Sequence, residues 1–223
     1  MSPADSSPTP DARNRILQVA EEAFAEQGFD RPSLRDITSK AKVNLASVSY
    51  YFGSRDGLVD AVILRAIRRW NDRRVEMLDE AQREAAAEGR ALTVHEIVAA
   101  LVDPLLETDS DQGPSTEFLG SVLSRSFGSG DRDFPAEMRP AYDQVTERFL
   151  VAIGEAAPHL SERDIFWRVF FGIGGLFRIF SHGPLFTDTF AERSGGMDKV
   201  LVRRELIEFM AGGLLAPSLE KQS

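Results

Sequence analysis

The sequence predicts an all-α protein: an N-terminal helix-turn-helix three-helix domain followed by a C-terminal helical bundle. Three observations carry this expectation. Apolar residues recur at spacings of three and four along almost the whole chain, and no run of alternating strand residues breaks the pattern. Gly, Pro and short polar clusters fall between the periodic runs, where helices stop. The runs before Gly53 are short or closely spaced, whereas those beyond Gly89 are long and amphipathic.

Each element follows in order. Residues 1–9, MSPADSSPT, are polar and rich in Ser and Pro, and they read as a disordered leader without the apolar run of an export signal. In the first helix Ile16, Leu17, Ala20, Ala23 and Phe24 make one apolar face. Thr9 is placed to cap it, Pro10 suits its first turn, and Gly28 suits its end. A second helix starts at Ser33, with Asp36 three residues on as in a capping box, and ends near Ala41. Asn44 is placed to cap a third, Leu45 to Phe52, which Gly53 closes. Ser54 caps a fourth, which runs through Leu58, Val62, Ile67, Trp70 and Met77 to about Glu88. Longer helices are expected over 94–107, 115–127, 135–157, 161–181 and 198–215. The boundaries that result are a leader over 1–9, a helix-turn-helix domain over 10–56 and a second helical domain over 57–218.

Composition removes several function classes. The chain has 223 residues, 43% hydrophobic and 27% charged, which is ordinary for a globular protein. It has no cysteine, so disulfide scaffolds, thiolate zinc sites, iron–sulfur clusters and thiol nucleophiles are excluded. The three histidines, His95, His159 and His182, have no triad or zinc context, and the carboxylates pair only as helix-surface charges. No enzyme activity, metal or cofactor is expected. The glycines of FGIGG, Phe171 to Gly175, follow no strand and are not a nucleotide fingerprint. The longest apolar run, Ile165 to Phe180, is broken by Arg168 and Arg178 and is shorter than a membrane span, so no membrane partner is expected and the cytoplasm is the default compartment.

A net charge of −9 argues against nucleic acid until it is resolved along the chain. From Arg31 to Arg55 five basic residues face one acid, Asp36, a local +4 that leaves −13 for the rest. A basic patch on an acidic body is an electrostatic footprint for DNA. The same stretch, SLRDITSKAKVNLASVSYYFGSRDGL, has the layout of two short helices with a tight connection. Leu34, Ile37, Ala41, Val43, Val48 and Phe52 lock the pair together. The second helix then turns Leu45, Ala46, Ser47, Ser49 and Tyr50 outward, small or hydrogen-bonding side chains that fit base edges in a major groove. Ser33, Arg35, Lys40, Lys42, Tyr51 and Arg55 flank them as phosphate donors, and the helix starts at Ser33 and Ser54 add backbone N–H groups.

From Arg15 to Leu58, RILQVAEEAFAEQGF, SLRDIT and AKVNLASVSYYFGSRDGL resemble the DNA-binding domain of TetR-family transcriptional repressors. The resemblance implies an all-α homodimer that binds a palindromic, double-stranded operator and releases it on binding a small molecule. By position it implies DNA contacts at Ser33, Leu45, Ala46, Ser47, Ser49, Tyr50, Tyr51 and Arg55. Two residues depart from the family pattern. Ser49 stands where many members have Tyr, and Arg55 replaces the commoner Lys, keeping the charge but not its geometry. Beyond residue 60, IVAALVDPLL and DIFWRVFFGIGG are similar to a subgroup that includes fatty-acid-responsive repressors, which implies a fatty acid or acyl-CoA effector.

Twelve of the 15 Phe residues lie beyond position 100, a density that suits either an apolar ligand pocket or core and dimer packing. By helix position and by the resemblance, Leu101, Phe118, Val122, Met138, Phe149, Trp167, Phe170 and Phe171 are candidates to line a cavity. Arg125, Tyr142 and Arg178 are the polar groups placed to meet a carboxylate or carbonyl there. The dimer face is expected on the last two long helices, 166–180 and 201–215, where Gly172, Gly174, Gly175, Gly212 and Gly213 permit close approach. The rival reading is a helical protein-binding adaptor without DNA-binding function.

Overall fold

The computed structural model describes residues 10–106, 118–122, 139–176 and 198–218, and every regular element among them is an α-helix. In chain order these are α1 (Pro10–Gln27), α2 (Leu34–Lys40), α3 (Ala46–Phe52), α4 (Arg55–Ala87) and α5 (Val94–Leu106). Then come α6 over 118–122, α7 (Arg139–Ala156), α8 over 162–176 and α9 (Lys199–Leu215). Contacts divide the chain into two compact units, Met1–Ile67 and Arg68–Ser223. The division falls inside α4, beyond the boundary at 56 expected from the sequence. Leu58, Val59, Val62 and Ile63, in the first turns of α4, are buried, so that segment counts with the three helices before it.

In the first unit α1 buries Ile16, Leu17, Ala20, Ala23 and Phe24, the face its spacing describes. It packs on both α2 and α3. Side-chain bonds lie at or just before the starts of the short helices. Ser33 and Asp36 complete the capping box of α2: Ser33 Oγ accepts from the Asp36 N–H at 3.2 Å, and the Ser33 N–H donates to the Asp36 carboxylate at 3.3 Å. Those bonds, the side-chain bond from Ser33 first, hold the Asp36 carboxyl below the usual carboxylate range. The third helix begins at Ala46, one residue later than expected, and its N-cap position falls on Leu45, which makes no side-chain cap bond; Asn44, just before it, accepts from the Ala46 N–H through Oδ1 at 3.0 Å. Gly53 ends α3 at φ +73°, a left-handed conformation that a Cβ would strain. Ser54 Oγ accepts from the Gly57 N–H at 3.0 Å and so caps α4.

In the second unit α5 is apolar on most sides and buries Val94, Ile97, Val98, Leu101, Val102 and Leu105. It packs against α7 and α9. Arg203 grips Asp103 with two bonds of 2.6 and 2.7 Å, and His95 lies 3.5 Å from Glu208. Low numbers on α5 thus meet high numbers on α9, and the two run antiparallel. Helix α8 closes on α9 where Gly172 faces Met210; a Cβ at 172 would sit 2.6 Å from that side chain. Arg168 donates to the carbonyls of Gly213, Ala216 and Pro217 at 2.6, 2.7 and 2.7 Å. This satisfies carbonyl groups that the end of a helix leaves open. Between α4 and α5, Glu96 accepts from Arg90 at 2.7 and 2.9 Å and from the Thr93 N–H at 2.8 Å, and its carboxyl is pulled down to about 2, chiefly by the Arg90 bonds.

The turn between α3 and α4 leaves no room at position 57. A Cβ there would stand 2.0 Å from the carbonyl oxygen of Phe52. Gly57→Ala is therefore expected to destabilise the protein by about 1–3 kcal/mol, the range for overpacking against groups that cannot yield. Gly154→Ala, whose methyl would meet Ile165 at an ordinary 3.8 Å, is neutral or stabilising. Denaturant midpoints of the two variants, measured side by side, check the pair.

Candidate functional site

The helix-turn-helix is built around three buried side chains. Ile37 on α2, Ala41 at its end and Val48 on α3 are each almost fully enclosed. The connection between the helices is tight: the Lys42 N–H bonds the Ser39 carbonyl at 3.2 Å and the Val43 N–H bonds the Thr38 carbonyl at 3.0 Å. Lys42 itself sits at φ +54°, the one non-glycine with positive φ among the described residues. For an L-residue that conformation costs about 1–2 kcal/mol.

With Val48 turned inward, the 3.6-residue period turns Ala46, Ser49 and Tyr50 outward, while Tyr51 and Phe52, three and four residues on, stay half-buried on the inner side. Leu45, Ala46 and Ser49 are exposed, Ser47 is half-buried, and the Tyr50 side chain is 70% exposed. The Tyr50 ring stands edge-on to Tyr51 at 5.0 Å, which braces it without covering it. Arg35, Lys40 and Lys42 are exposed beside this surface. Two of the flanking residues expected on phosphates have work inside the chain. The Ser33 hydroxyl donates to the Asp36 carboxylate. The Arg55 guanidinium donates to the backbone carbonyls of Phe29 and Pro32, tying the α1–α2 connection to the start of α4. Its charge stays in the patch, but part of its donor set is spent on the fold.

The residues expected to line an effector cavity separate into two groups. Leu101, Phe118, Val122 and Phe149 are buried in the second unit, and Tyr142 is half-buried. Trp167, Phe170 and Phe171 are not enclosed with them: with Phe166 they are 48–63% exposed and form a continuous outward ladder on α8, with ring centroids 5.4–6.3 Å apart. Arg125, Met138 and Arg178 lie outside the described residues.

One buried polar cluster was not anticipated. Arg74 on α4 is 6% exposed, and its guanidinium carbon lies 4.7 Å from the centroid of Trp70 and 5.0 Å from that of Phe149. Its Nη1 donates to buried Asn71 at 3.1 Å, and among the described residues Nε has no partner. Burial pulls the guanidinium down to about 10, with Tyr142 of α7 acting on it electrostatically. The signal was present in the sequence: Ile67, Trp70, Arg74 and Leu78 share one helical face, so a basic residue occupies an apolar position in the pattern.

Among the described residues no helix is long and apolar enough to cross a membrane, and no cluster of His, Asp and Glu is arranged to hold a metal ion. Comparison with known proteins finds the family of bacterial regulatory proteins of the tetR type over residues 16–62 and the tetracyclin repressor-like C-terminal domain over residues 99–213. An HTH-type transcriptional repressor of Mycobacterium tuberculosis is 48% identical over 48 residues, 22% of this chain and 26% of that protein, so the match spans about a quarter of the relative. A solved structure of the superantigen PfiT is 25% identical and covers 90% of this chain and 96% of its own, with a TM-score of 0.60. A TetR-like transcriptional regulator from Rhodococcus sp. RHA1 shares the fold at 17% identity and a TM-score of 0.57, over 93% of this chain and 97% of its own. With the helix-turn-helix at its head and the C-terminal match covering just over half its length, the chain belongs to the TetR family of transcriptional regulators.

Proposed function

We propose that the protein is a transcriptional repressor that binds a palindromic operator as a homodimer in the cytoplasm and leaves it when a small apolar or acyl-type effector binds. The observation that supports this most is the outer face of α3. Its small and hydroxyl-bearing side chains, with Tyr50 projecting, lie exposed beside Arg35, Lys40 and Lys42, over a buried Val48 anchor. Groove-reading helices need that combination: an outer surface small enough to enter, and cations to hold the phosphates on either side. A protein-binding adaptor has no use for it.

In the dimer the two recognition helices occupy successive turns of the same DNA face, roughly 34–36 Å apart. The pairing surface we infer is the aromatic ladder of α8, joined by exposed Phe209 on α9. Among the described residues Gly174, Gly175, Gly212 and Gly213 meet nothing within 4 Å of an added Cβ, so α8 and α9 each carry open backbone for a second copy to approach. Buried Leu101, Phe118, Val122 and Phe149 belong to the second unit, where we place the effector. An effector shifts the operator equilibrium only by its differential affinity for the two states of the dimer. We assign the transmission to α4, whose residues divide between the two units.

On the operator recovered by footprinting the protein on its own genome, Tyr50→Ala should weaken binding about tenfold or more, as expected when a groove contact worth on the order of 1–3 kcal/mol is lost. Its helix content and oligomeric state should match the parent; equally tight binding would remove α3 as the reading element. Lys42→Gly separates fold from function at one position. It relieves the left-handed strain and should raise stability by up to about 1 kcal/mol, while the salt dependence of DNA binding becomes shallower by about one unit per protomer. Phe170→Asp together with Phe171→Asp should convert the dimer to a folded monomer, seen by analytical ultracentrifugation. A dimer that persists places the pairing surface elsewhere.

A further inference from the structure

A buried guanidinium is charged at any physiological pH, and burying an ion without a counter-charge costs several kcal/mol. Proteins rarely leave arginine in this state. Among the described residues no carboxylate pairs with Arg74. Two aromatic faces, Trp70 and Phe149, and the Asn71 oxygen partly offset the cost through cation–π attraction and one hydrogen bond. Neither supplies negative charge. A guanidinium presents five N–H donors; among the described residues Nη1 donates to Asn71, and the Nε donor is buried without a partner. Beside it, among the described residues, the indole Nε1–H of Trp70 is also buried without an acceptor. Two donor groups, one of them cationic, thus lie together against aromatic faces and have no acceptor of opposite charge among the described residues.

We propose that Arg74 and Trp70 form the recognition point for an effector that carries a carboxylate on an apolar body. The carboxylate takes the open guanidinium N–H groups and the indole N–H, and the apolar part lies against Trp70 and Phe149. This inference rests on the effector-responsive reading above and narrows it to an organic acid, as distinct from a neutral ester or thioester. Charge-assisted bonds between arginine and a carboxylate in a desolvated site are the strong class of hydrogen bond, which is what discrimination of an acid from its ester requires. A bound carboxylate also supplies the negative charge that Asn71, Trp70 and Phe149 do not.

The test uses the full chain with its native sequence. Decanoate and 4-phenylbutyrate, each with its methyl ester, are titrated by calorimetry. The expected result is binding of at least one acid about tenfold or more tighter than its ester. In Arg74→Met that preference disappears, whereas Arg74→Lys keeps part of it. Arg74→Met without ligand should melt at or above the parent temperature, because removing an unpaired buried charge relieves a cost. A lower melting temperature would make the guanidinium a structural stitch and overturn the proposal. Equal binding of acid and ester would also overturn it, while leaving the effector reading in place. Failure of every probe to bind would overturn both.

Discussion

The enclosure of Val48, Ile37 and Ala41 is the constraint on which the DNA-facing half depends. Once those side chains are buried against α1, helical geometry leaves Ala46, Ser49 and Tyr50 the outer side, with Leu45 exposed at the helix start. The outward face of α3 is therefore a by-product of packing and needs no interaction of its own to be presented. The side-chain bonds of Ser33, Asn44 and Ser54 serve the same end. A helix of seven residues such as α2 is too short to persist on propensity alone, and a cap such as that of Ser33 supplies about 1 kcal/mol to define where it begins. Register, more than stability, is what those bonds protect.

Charge is arranged by the same economy. An acidic chain with a basic head is repelled by phosphate except through that head, so its net charge of −9 helps to orient the molecule on DNA. Within the head, side chains divide between holding the fold and remaining open. Arg55 is spent on the carbonyls of Phe29 and Pro32, and Ser33 on Asp36, while Lys40, Lys42 and Arg35 stay exposed. The strained backbone at Lys42 belongs to this pattern: a glycine would fit the turn better, but it would carry no charge.

The second unit shows why aromatic residues are poor guides to function when read from sequence alone. Phe149 and Trp167 look equivalent in a list of rings on amphipathic helices. One is buried against Arg74, and the other stands on an exposed ladder with Phe166, Phe170 and Phe171. An amphipathic pattern marks an apolar face, but it does not say whether the chain's own core or a second molecule covers it. Arg74 was missed for the converse reason. A lone cation among 26 basic residues reads as surface charge until its burial is known.

The sequence by itself determined the helix class, most of the helix starts and stops, the basic head and the outward set on α3. All of these are local: caps, glycine stops and 3.6-residue periodicity act within a turn or two of the residue concerned. Tertiary structure decided what depends on distant partners. It placed the unit division within α4, diverted Arg55 to backbone carbonyls 23 and 26 positions away, sorted the aromatic rings into buried and exposed sets, and enclosed Arg74. Burial and electrostatic pairing depend on which helices meet, and only the folded chain sets that.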